Sequence, residues 1–89
     1  MSLTKEERIK AVRNFWTMRL EDWTELINTA PKTIGTYESM IGWCKRDLDY
    51  ANDIWHSLGA GEYEVFCEVC DKIADKYDQM VATLNKLKS

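Results

Sequence analysis

Proline occurs once in this chain, at Pro31, and histidine once, at His56. A single proline leaves long stretches with no enforced helix break. A single histidine leaves Asp53-x-x-His56 as only half of a di-iron ligand set. No apolar run approaches the roughly 18 residues of a membrane-spanning helix, and no charged-then-apolar leader opens the chain. The three cysteines are odd in number, and Cys44 and Cys70 fall on apolar stripes where a thiol acts as a small hydrophobe, so a cytoplasmic, reducing setting is expected. Twelve basic side chains stand against fifteen acidic ones. The net charge is −3, and Arg8, Arg13 and Arg19 are too few for a basic stripe, which disfavours nucleic acid as a partner. No strand alternation, internal repeat or low-complexity tract is present.

What is there is helical. Before Gly59-Ala60-Gly61, the residues Tyr37, Ile41, Cys44, Leu48, Ala51, Trp55 and Leu58 recur at alternating steps of four and three. After it, Phe66, Cys70, Ile73, Tyr77, Met80, Leu84 and Leu87 repeat those steps. Each set is one heptad stripe. Folding the chain back at the glycines pairs Trp55 with Phe66, Leu48 with Ile73, Ile41 with Met80 and Tyr37 with Leu84 in a single register. Glycine is expected to end the first arm in left-handed geometry.

The leading segment adds a third helix. Thr4 with Glu7 is a capping box, and Ile9, Val12, Trp16, Leu20, Trp23 and Ile27 form a core stripe that Phe15 and Leu26 widen. Pro31 ends the segment, and Thr33 or Thr36 caps the next one. The spacing predicts an all-α fold, an antiparallel three-helix bundle built on a long helical hairpin, with helices over about residues 5–28, 36–58 and 62–87 in one domain. Charge is lopsided. Residues 1–34 hold six basic against five acidic side chains, and residues 35–89 six against ten, with the acids crowding the hinge end. They lack the D-x-D-x-D-G spacing of a calcium loop, and interleaved lysines make them a solvated face.

The hairpin has two grooves. Trp43, Tyr50 and Ile54 flank one; Tyr63, Cys67, Ala74 and Val81 flank the other. The small-residue groove is expected to take the first helix, because Trp16 and Trp23 need the space beside Ala51, Cys70 and Ala74. Trp43, Tyr50 and Ile54, with Asp47 beside them, then form an aromatic face open to a protein partner or a second copy.

Cys67-Glu-Val-Cys70 matches a redox or metal spacing, yet it lies inside a helix of a strandless chain. Cys44 is about two turns, near 10 Å, from Cys70, so no four-ligand zinc site forms. The stretch from Ala30 to Tyr37 mixes a cation, hydroxyls, a glycine and an aromatic beside a helix start, an arrangement that suits a small anion or nucleotide. This Pro-Lys loop, followed by Tyr37-Glu38 and a helical hairpin, resembles the small phage proteins that sequester cyclic-nucleotide signals. The resemblance covers residues 30–38 and the hairpin topology, and the leading helix departs from it. It implies that Lys32 meets phosphates and that an aromatic stacks a base; Thr33 and Tyr37 complete the candidate set.

The first expectation is therefore a non-enzymatic cytoplasmic regulator, inhibitor or adaptor acting through Trp43, Asp47, Tyr50 and Ile54, without a cofactor. The alternative is a small-ligand binder at Lys32, Thr33 and Tyr37.

Overall fold

The computed structural model describes residues 2–89. Thr4 opens the first helix as its spacing predicts. Its hydroxyl accepts from the Glu7 N–H at 3.1 Å, and Glu7 Oε1 accepts from the Thr4 N–H at 3.0 Å. Helix α1 runs from Lys5 to Thr29. Pro31 holds Ala30 extended, at φ −70° and ψ 144°, and the Ala30 N–H closes the helix on the Leu26 carbonyl at 2.8 Å. Helix α2 spans Ile34–Ile54. It starts earlier than the spacing predicts because Thr33 is the cap, its hydroxyl accepting from the Thr36 N–H at 3.2 Å.

The hinge corrects one expectation. No described residue has a positive φ, glycine included. The end of α2 tightens into a 3₁₀ turn, Trp55–Ser57. The Leu58 N–H then donates to the Trp55 carbonyl at 3.2 Å and the Ser57 hydroxyl to the Ile54 carbonyl at 2.8 Å. Those bonds satisfy the carbonyls that a left-handed glycine would otherwise cap. The chain leaves through extended Leu58 and Gly59, and helix α3 follows from Ala60 to Lys88. Gly61 matters for packing instead. A Cβ there would lie 2.6 Å from Ile9 Cδ1, so α1 and α3 approach closely at this point.

The result is an all-α, up-down-up three-helix bundle, 52 × 22 × 19 Å in extent. α3 packs along both other helices. α1 and α3 start at the same end, where Arg8 Nε meets Glu62 Oε1 at 3.2 Å. The core centres on Trp16, Trp23, Tyr37, Cys44, Phe66 and Ile73. The two tryptophans bury about 150–250 Å² each, roughly 4–6 kcal/mol of transfer free energy per side chain before entropy is subtracted.

The seam is rotated from the two-helix pattern. Met40 and Val69 are buried where Ile41 and Cys70 are only partly so, and Trp55 is 42% exposed. A third helix draws the centre of each stripe toward itself, and Trp16 takes the place expected of Trp55, with its ring 5.4 Å from Phe66.

α1 also occupies the groove opposite to the expected one. It lies over the side of the hairpin that carries Trp43, Asp47, Tyr50 and Ile54. Trp16 lies 6.0 Å from the Tyr50 ring. The small-residue groove holding Ala51, Cys67, Cys70 and Ala74 stays uncovered. Volume matching pointed the wrong way because Asp47 decides. A partly buried carboxylate requires donors, and α1 supplies Arg19 and Trp23 only on that side.

Candidate protein-docking face

Asp47 organises the α1/α2 junction. Arg19 Nη2 donates to its Oδ1 at 2.7 Å and Oδ2 at 2.6 Å, Arg19 Nε to Oδ2 at 3.2 Å, and Trp23 Nε1 to Oδ2 at 2.8 Å. A planar guanidinium and an indole N–H thus converge on one carboxylate. Asp47 is a tie within the chain rather than a free partner contact.

On either side of this tie the junction opens into a shallow cleft. One, of ≈ 260 Å³, lies among Arg19, Asp22, Trp23, Leu26 and Trp43. The other, of ≈ 230 Å³, lies among residues that include Phe15, Trp16, Tyr50, Ile54 and Leu58. Trp43 and Tyr50 are each 52% exposed, although α1 covers their groove, and Ile54 is half-buried. The helical phase places two further side chains on the same face, Phe15 at 50% and Met18 at 64% exposure. Ala11, Phe15, Met18 and Asp22 follow heptad spacing along α1, beside its core stripe. That second stripe was the available signal for Phe15 and Met18, and reading Phe15 as a widening of the core hid it.

The charges on this face alternate. Exposed Asp22 and Glu25 lie on α1 at the end away from the hinge, and at the hinge end Arg8, tied to Glu62, lies beside exposed Glu7. On α2 the order is reversed: exposed Arg46 lies away from the hinge and Asp53 toward it.

The loop set does not come together. Lys32 is exposed, Thr33 is used as the α2 cap, and Tyr37 is 1% exposed in the core, so its ring offers no face to a ligand. Burial pushes the Cys44 thiol up to about 11, with Asp47 adding to it. Burial, and then neighbouring Cys67, push Cys70 up to about 12. Both are held as thiols, the opposite of an activated nucleophile. Among the described residues no cluster of three His, Cys, Asp or Glu is placed to hold a metal ion, and no helix is long and apolar enough to cross a membrane.

No protein-family model matches the chain, and neither the curated proteins nor the solved structures give a match. The arrangement on the α1/α2 face therefore stands by itself. It offers aromatic anchors, two clefts and a charged rim, which are the parts of a docking surface.

Proposed function

We propose that this chain is a small non-enzymatic interaction protein, a regulator, inhibitor or adaptor, that docks a protein partner or itself through the α1/α2 face. The observation that carries this reading is the gathering of Phe15, Met18, Trp43 and Tyr50, each at least half exposed, on one side of a small bundle. Scattered surface hydrophobics are ordinary, whereas several large ones gathered on one side of a small domain support a binding surface. Trp and Tyr dominate interface energetics when they enter a partner's pocket, often at about 2 kcal/mol or more each.

The test is site-specific photocross-linking in the source cell. A benzophenone amino acid at Met18 is expected to give discrete adducts, and one at exposed Glu68 on α3 is not. Equal labelling from the two positions, or none from Met18, would refute the docking face.

A further inference from the structure

We propose that the occupant of this face is a second copy of the same chain, docked face to face about a two-fold axis that runs across the helices. The proposal rests on the docking-face reading above and names its partner. A half-turn about such an axis keeps α1 over α1 and α2 over α2 and reverses their direction.

Each helix fixes the position of the axis independently. On α1 the exposed apolar pair is Phe15 and Met18, so the axis crosses midway between them. On α2 the exposed opposite charges in phase with Tyr50 are Arg46 and Asp53, whereas exposed Lys45 and Asp49 turn away from it, so the axis crosses midway between the first two. The first midpoint falls between Trp16 and Thr17, the second between Asp49 and Tyr50. Within one chain the Trp16 and Tyr50 rings are 6.0 Å apart and Arg19 meets Asp47. These contacts put the two midpoints at the same level of the bundle, so a single axis serves both helices.

With that axis, Phe15 meets Met18 of the second copy, and Arg46 meets Asp53 of the second copy, each pair occurring twice. Trp43 reaches the ≈ 230 Å³ cleft beside Tyr50, Ile54 and Leu58 of the second copy. Among the described residues neither Arg46 nor Asp53 has an ion-pair partner in its own chain. Under this half-turn the Arg46/Asp53 pair is its own complement, which favours a second copy over an unrelated partner.

The stretch of α1 between Arg8 and Glu25 is about 25 Å long, and two helices are about 20 Å wide. That footprint, roughly 500 Å² per copy, lies at the low end of specific interfaces. The expected dimer is reversible, with a dissociation constant on the order of 10 μM.

The test is sedimentation equilibrium with R46E, D53R, their equimolar mixture and the R46E/D53R double variant. Both positions are exposed, and circular dichroism checks the fold of each variant. Each single variant is expected to weaken self-association by about tenfold or more, since both attractive pairs become repulsive. The mixture restores two complementary pairs in a heterodimer, and the double variant restores them in a homodimer, both near wild-type strength. A wild type still monomeric at about ten times the expected constant, or a mixture no tighter than its components, overturns the proposal. If that happens while Met18 cross-links a different protein, the docking face stands and only the second copy is excluded. If Met18 cross-links nothing, both readings fall.

Discussion

Asp47→Ala separates the two forces that hold α1 on α2. Trp23 is 4% exposed, and its indole N–H donates to Asp47. Removing the acceptor leaves that donor buried and unpaired, which costs about 1–2 kcal/mol. The Arg19 ion pair contributes less. The Arg19 side chain is 40% exposed and that of Asp47 17%, so solvent screens the pair to about 0.5–1 kcal/mol. Alanine returns about 0.5 kcal/mol through its helix propensity. The net expectation is a loss of about 1.5–2 kcal/mol, or a melting temperature lower by about 10 °C in a domain of this size. Urea denaturation followed at 222 nm measures it, with an unchanged denaturant slope showing that the unfolded state is unaltered. Trp23→Phe removes the donor itself. In that background Asp47→Ala should cost at least about 1 kcal/mol less, because no orphan remains. A single variant within about 0.5 kcal/mol of wild type, or the absence of coupling to Trp23, would refute the reasoning.

Two further outcomes test the packing away from this tie. Gly42 sits inside α2 with nothing within 4 Å of where a Cβ would be, so Gly42→Ala should add about 0.5–1 kcal/mol in the same denaturation assay. Cys44 and Cys70 keep their protons above the ordinary thiol value of 9.0. The stabilisation from these raised values is complete below the unfolded thiol value, and it is lost as pH climbs through about 11 for Cys44 and about 12 for Cys70. The stability gap between wild type and a Cys44→Ala/Cys70→Ala variant should narrow across that window. An aromatic disulfide reagent at neutral pH should label half-exposed Cys67 first and Cys44 only on unfolding.

The helix boundaries were legible because they rest on local chemistry. Thr4 with Glu7 and Pro31 with Ala30 each act within a few residues, and the structure places both ends of α1 as their spacing implies. The hinge was legible as a turn but not in its conformation, since a 3₁₀ turn and a left-handed glycine satisfy the same carbonyls. The seam was read one residue off at Met40 and Val69, because a two-helix pattern carries no information about the side from which a third helix approaches. Tyr37 belonged to two readings, as a core stripe position and as a ligand-stacking ring. Burial of its ring in the core settles that conflict in favour of the stripe. Trp43 and Tyr50 were visible as outward flanks. The Asp47 tie was not, because its partners lie on another helix, 24 and 28 residues away.

The choice of groove connects stability to the proposed function. Had α1 covered the small residues, Trp16 and Trp23 would have packed against Ala51 and Ala74, and Asp47 would have faced water. Covering the opposite groove sets Asp47 against its donors and leaves Cys67, Cys70 and Ala74 in a shallow trough that needs no cover. It also brings the outer stripe of α1 alongside the aromatic flank of α2. Phe15 then shares a cleft with Tyr50, and Trp43 shares one with Asp22 and Leu26, where neither helix alone presents more than a narrow stripe. Half or more of each of the Phe15, Tyr50 and Trp43 side chains stays in water, so each returns at most about half of the roughly 1.5–3 kcal/mol that full burial of a large apolar side chain provides. Phe15 and Tyr50 also pack on buried Trp16, with ring centroids 5.1 and 6.0 Å away, so this surface is continuous with the core it covers.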